Sequence, residues 1–217
     1  THEYISRVWH VQTLDPPEGF KSVDERVRKG SYLVTLPPFH IAGFTLTIIF
    51  PAIYGCVPVY PIAGIPPTLN SFLDALRSTS FDWTFLSPVV IDEIGRDPKV
   101  LDHVAQKLDY LLFSGGSVPQ ETGSIVARKM NLLQSLGSSE CSAVPLIQGK
   151  SGWRTEDWAY FQLHPAANAE FQHRFDDCYE LVHLRRRDVD AHGLGERYQP
   201  VFAMFPGTDS FETKDLF

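Results

Sequence analysis

Tyr110-Leu111-Leu112-Phe113-Ser114-Gly115-Gly116-Ser117-Val118-Pro119 is the stretch on which the fold turns. Four apolar residues make a strand-length run too short for a helix. Ser114 to Ser117 interrupts it, and Pro119 opens an amphipathic segment reaching Met130, because proline suits the first turn of a helix. Leu132 to Leu136 then reads as a second strand, ending in Gly137-Ser138-Ser139-Glu140. This strand, loop, helix, strand order is the rhythm of a parallel sheet covered by helices.

The same rhythm extends outward. Tyr32 to Leu36, Val57 to Tyr60 and Trp83 to Leu86 read as further strands. Gly43 to Tyr54 reads as a buried helix stopped at Gly55. Pro67 to Ser78 places Leu69, Phe72, Leu73 and Leu76 at helical spacing, and Asp97 to Lys107 adds another helix. Beyond Gly149 short runs, Trp158 to Leu163 and Tyr179 to Leu184, stand between loops of Pro, Asn, Asp and Gly. The expectation is an α/β fold: a parallel-sheet β/α subdomain over residues 1–148, then a smaller β-rich portion over 149–217. Arg185 to Arg187, followed by Asp188 and Asp190, reads as a solvated turn.

Composition narrows the function. At 217 residues, 43% hydrophobic and 21% charged, the chain has the make-up of a globular protein. A net charge of −7 argues against a nucleic-acid surface, which needs clustered Lys and Arg. Cys56, Cys141 and Cys178 are odd in number and form no CxxC pair, so a reducing, cytoplasmic setting is expected. The apolar stretch from Ile41 to Tyr60 is broken by Gly43, Pro51, Gly55 and Pro58, which suits buried core and not a membrane span.

Ligands of open α/β sheets collect beyond the carboxyl ends of the strands. Three strands end there in suggestive loops: Pro37-Pro38-Phe39-His40, Ser114-Gly115-Gly116-Ser117 and Gly137-Ser138-Ser139-Glu140. Each loop alone has a plain alternative, since Gly-rich strand ends also make tight turns and His40 could be a structural residue between Phe39 and Phe44. Other catalytic signatures fail on spacing. There is no GxSxG elbow; His2-Glu3 has Ser6 where a zinc-protease motif needs a second His; and Gly149-Lys150-Ser151 has Val144 where a P-loop needs glycine.

These segments, in this order, resemble adenylation domains of the adenylate-forming superfamily, and within it the carboxylic-acid-reductase-like and nonribosomal-peptide-synthetase-like enzymes of fungi. The likeness rests on Leu36 to His40, Leu111 to Pro119, Leu133 to Glu140, Tyr198 to Phe202 and Phe211 to Phe217. The resemblance implies ATP-dependent activation of a small-molecule carboxylic acid to an acyl-adenylate, with Mg²⁺. It implies partner domains in the full protein: a carrier, and a reductase or thioesterase. By the same resemblance Glu140 matches the Mg²⁺-associated glutamate, and His40 borders the acid pocket. Gly115, Gly116 and Ser117 pass the adenine, Gly137, Ser138 and Ser139 belong to the cofactor-binding positions with the Ser139 hydroxyl able to donate to a phosphate oxygen, and Asp215 accepts from the ribose hydroxyls. Ile41, Gly43 and Ser114 are expected near the acid.

Three positions depart from the family pattern: Ser138 for proline, Leu136 for an adenine-stacking aromatic residue, and Lys214 for glycine. The family's phosphate loop is expected before Thr1, and its hinge and catalytic lysine after Phe217. The chain by itself is therefore expected to have little adenylating activity. The rival reading is a non-catalytic fold fragment that serves as a protein-interaction surface.

Overall fold

The computed structural model describes residues 2–151 and 155–217. Eight α-helices occur among them: α1 (His2–Gln12), α2 (Ile41–Phe44), α3 (Phe50–Tyr54), α4 (Leu69–Ser78), α5 (Pro88–Arg96), α6 (Pro98–Ala105), α7 (Gln120–Lys129) and α8 (Val201–Met204). The strands of the main sheet and its surroundings are β1 (Phe20–Ser22), β2 (Ser31–Leu33), β3 (Val57–Val59), β4 (Trp83–Leu86), β5 (Tyr110–Phe113) and β6 (Asn131–Gln134). Then come β7 (Gly137–Ser138), β8 (Ser142–Ala143), β9 (Leu146–Gly149), β10 (Gln162–Leu163), β11 (Ala169–Phe175), β12 (Cys178–Leu184) and β13 (Ser210–Leu216).

Five strands form one parallel sheet in the order β3-β2-β4-β5-β6, as the sequence rhythm requires. Alternate residues along each strand serve two cores. Leu33, Leu111, Phe113 and Leu132 meet the apolar stripes of α4 to α7 on one face. Tyr32, Trp83, Tyr110 and Leu112 face the other way, toward Leu46 and Phe50. Trp83 is fully buried there, stacked at 4.4 Å on Tyr32 and 5.7 Å from Tyr110. The antiparallel sheet β11-β12-β13 makes the separate β-rich region, and β1-β9-β10 is a third, smaller sheet. The division expected at 148/149 falls within β9.

Several local expectations change. The helix expected over Gly43 to Tyr54 starts at Ile41, with His40 as its cap, and widens into a π-helical turn over Thr45–Ile49 before α3. Gly55 ends it at φ 69°, where glycine is unstrained. Trp158 to Leu163 is not a continuous strand: Trp158 lies in a 3₁₀ turn and is buried against Gly123 of α7, leaving only β10 extended. A Cβ on Gly123 would lie 2.2 Å from that indole.

Arg185 and Arg186 do not form a solvated turn. Arg185 forks onto Glu196 at 2.8 and 2.9 Å and lies over the Phe202 ring, while Arg186 binds Asp190 and Asn168. Arg7 of α1 joins the same Glu196 at 2.7 Å, tying the first helix to the far end of the chain. Glu196 and Asn168 lie 11 and 18 residues from their arginines, which is why the run looked free, although Asp190 is only four residues from Arg186. Only Arg187, paired with Asp209, is exposed.

His164 and His183 are buried, and burial pushes both imidazoles below the ordinary histidine range. His164 suits only its neutral form: its Nδ1 accepts from the Ala166 N–H at 2.9 Å while Nε2 donates to the Asp15 carbonyl at 3.0 Å. The unfolded chain takes up protons below about pH 6.5 and the folded one resists until lower pH, so stability falls as pH drops through that window. Denaturant midpoints measured between pH 7.5 and 5.5 are expected to fall, and His164→Asn is expected to flatten that dependence. Among the described residues, no helix is long and apolar enough to cross a membrane.

Candidate functional site

The carboxyl ends of β2, β4, β5 and β6 open onto a cavity of about 500 Å³, a size suited to a small-molecule site. Three loops that the sequence singled out contribute to it. His40 comes from the first, Ser114 and Gly115 from the second, and Gly137, Ser138, Ser139 and Glu140 from the third. Gly116 and Ser117 continue the second loop without lining the cavity. Asp215 is on β13, exposed, and does not line it either.

His40 caps α2, its Nδ1 accepting the Ala42 N–H at 3.2 Å. An acceptor Nδ1 leaves the proton of the neutral ring on Nε2, able to donate to an anion. Phe39 is 91% exposed, so His40 is not sandwiched between Phe39 and Phe44. Ile41 lines the cavity, whereas Gly43 does not: it is buried against the preceding loop, where a Cβ would lie 1.9 Å from the Pro37 carbonyl oxygen. Glycine there lets that loop fold back on the helix and so positions His40.

Gly115 has φ 79° and no neighbour within 4 Å of where a Cβ would stand. Its backbone therefore presents an open, flat surface to the cavity. The third loop is a tight hairpin between β7 and β8, with Ser142 held at φ 60°. Ser138 Oγ accepts the Cys141 N–H at 3.2 Å, and the same hydroxyl interacts with the Cys141 sulfur. The Tyr4 hydroxyl donates to the Ser139 carbonyl at 2.8 Å, so α1 braces the hairpin from behind. Burial pushes the Tyr4 hydroxyl up to about 12.

Glu140 is half-buried at the cavity wall, and its carboxylate has no hydrogen-bond or ion-pair partner among the described residues. Its negative charge is felt next door. The Cys141 thiol is pushed up to about 12, chiefly by burial, with the Ser138 hydrogen bond opposing and the charges of Glu140 and Asp215 adding. Asp215 therefore lies within electrostatic reach of the hairpin, although it belongs to another sheet. Lys214 beside it sits at φ 66°, a conformation glycine adopts without strain, and is held by an N–H bond to Glu180 at 2.9 Å.

The opposite wall is apolar: Leu36, Leu46, Phe50, Phe85, Leu112 and Leu136. Most of these escaped the sequence reading. The signal available was helical spacing from Ile41 through Thr45, with the strand ends Phe85 and Leu112 facing the same way.

The chain that builds this strand-end cavity matches a known family model. The AMP-binding enzyme model covers residues 1–169. The chain belongs to the AMP-binding enzyme family. Among curated members, the isocyanide synthase-NRPS hybrid crmA of Aspergillus fumigatus is 30% identical over 185 residues, 84% of this chain and 11% of that protein. A carboxylic acid reductase of Neurospora crassa is 26% identical over 188 residues, 84% of this chain and 17% of that protein. The chain thus spans a small part of these relatives. Among solved structures, the O-succinylbenzoate coenzyme A synthetase MenE of Bacillus subtilis, in complex with ATP and magnesium ion, superposes with a TM-score of 0.59 at 16% identity. That match covers 99% of this chain and 42% of that one, and it shows a shared fold.

The donor set fits a magnesium-bound nucleotide in an AMP-binding enzyme. Among the described residues no group of three or more His, Cys, Asp and Glu could hold a metal by itself. Mg²⁺ is commonly held by one or two carboxylates together with phosphates and waters, and Glu140 offers one free carboxylate.

Proposed function

We propose that this chain carries the acid-binding and nucleotide-binding halves of an adenylation site, which activates a small-molecule carboxylic acid with ATP. The observation behind this reading is the convergence of His40, Gly115 and the Gly137–Glu140 hairpin on one cavity in which the Glu140 carboxylate is unpartnered. In the reaction, a carboxylate oxygen forms a bond to the α-phosphorus of ATP. The bond from that phosphorus to the bridging oxygen breaks, and pyrophosphate leaves with the electron pair.

Both reactants are anions, so they must be held in line against their repulsion. The Nε2–H of His40 would hold the acid's carboxylate at the mouth of the apolar wall. The hydroxyl of Ser139 would donate to a phosphate oxygen, and the Gly115 backbone would pass beside the adenine. Glu140 would hold Mg²⁺, which when bound offsets phosphate charge. Asp215 would accept from the ribose hydroxyls. The names of the fungal relatives support passage of the product to a carrier or reductase domain in the full protein.

Calorimetric titration with ATP and Mg²⁺ tests the nucleotide half. The chain is expected to bind saturably, and Asp215→Ala to bind about tenfold more weakly, the equivalent of one charge-assisted hydrogen bond. A folded chain with no saturable binding, or an Asp215→Ala variant that binds equally well, would move the interaction-surface reading ahead.

A further inference from the structure

The opposite end of the main sheet, where β6 starts, holds a second cavity, of about 420 Å³. It lies where β6 begins, at Asn131, and is bounded by the last turn of α7 and by β1 and β9. The first cavity lies beyond the other end of the same strand, so the two are separated by the length of the sheet.

Its charge departs from that of the chain. Acidic residues outnumber basic ones 26 to 19 overall, yet this cavity is lined by Lys21, Arg26, Arg128 and Lys129 and, among the described residues, by no Asp or Glu. Lys129 is paired with Asp102 at 2.7 Å. The side chains of Lys21, Arg26 and Arg128 have no ion-pair or hydrogen-bond partner among the described residues.

The helix end explains only part of this. Arg128 and Lys129 stand in the last turn of α7, where cations offset the partial negative charge of the free carbonyls. Lys21 and Arg26 belong to another layer and do nothing for α7. Lys21 sits on β1 opposite Gln148 of β9, and the Arg26 carbonyl accepts the Tyr110 hydroxyl at 2.9 Å, which fixes that backbone against the start of β5. Two independent elements thus bring unpaired cations to one hollow, at a cost in mutual repulsion that a bound anion would remove.

We propose that this cavity is a second binding site, for a small phosphate-bearing anion, distinct from the nucleotide and acid cavity. Arginine forks match tetrahedral phosphate oxygens, and lysine adds point charge. The volume lies in the range of small-molecule sites.

The test is calorimetric titration of the chain with inorganic pyrophosphate, without Mg²⁺ and at low salt. The variants are Lys21→Ala/Arg26→Ala and the exposed-arginine control Arg77→Ala/Arg187→Ala, each checked by thermal melting. Saturable binding is expected in the chain, at least tenfold weaker in the Lys21/Arg26 double variant and unchanged in the control. Should the double variant lose its fold, Arg26→Gln gives the same reading at one position, with about a threefold loss. Absence of binding, equal binding in the cation variants, or citrate binding as tightly as pyrophosphate would each overturn the assignment.

Discussion

Glu140→Ala is expected to remove the magnesium dependence of ATP binding and to weaken binding in the presence of Mg²⁺ by at least about 100-fold. The carboxylate is half-buried at the cavity wall and carries no structural bond among the described residues. Its loss should therefore leave the fold intact and remove one hard oxygen ligand. Glu140→Gln keeps the shape and removes the charge, so it should behave like the alanine variant if charge is what matters. Titrations with and without Mg²⁺, on proteins shown by melting to be equally stable, check this. A Glu140→Ala variant that keeps its magnesium dependence would remove this carboxylate from the metal's surroundings.

Trp83→Ala is expected to cost about 3–5 kcal/mol, a large share of the stability of a single domain. The indole is fully buried at the centre of the sheet, between Tyr32 and Tyr110, so truncation leaves a cavity that neighbours on two strands border. Among the described residues the indole N–H has no hydrogen-bond partner, so Trp83→Phe removes an unsatisfied donor along with some volume and should cost far less. Urea unfolding of the three proteins separates the two effects: a midpoint for Trp83→Ala close to that of the parent would mean that this stack does not hold the sheet together.

The parallel sheet was legible because its strands are short apolar runs separated by amphipathic segments, and the order of those runs leaves few topologies. The site loops were legible for the same reason, since each follows a strand directly. What stayed hidden depends on register or on distance. Tyr4, Val8 and Val11 are spaced for a helix, as are Val90, Ile91 and Ile94 after Pro88, and α1 and α5 could have been read from them.

The π-helical turn at Thr45–Ile49 had no such signal, because Thr-Leu-Thr-Ile-Ile reads alike in either register. The roles of Arg185 and Arg186 depend on Glu196, Phe202 and Asn168, which only the fold brings near. Asp215 was singled out by likeness alone. Its sheet carries it to within electrostatic reach of the hairpin and not into the cavity wall.

On the proposed function one cavity holds an acid and a nucleotide side by side. A non-hydrolysable acyl-sulfamoyl adenosine joins both halves in one molecule, and its competition against ATP is the decisive measurement. Such a compound with an apolar acyl group is expected to displace ATP and to bind at least tenfold more tightly than adenosine monophosphate. Leu46→Asp, on the apolar wall, is expected to weaken the acyl compound and to spare the monophosphate. Equal affinity for the acyl compound and the monophosphate, or no displacement of ATP, would mean that the cavity does not hold the two together.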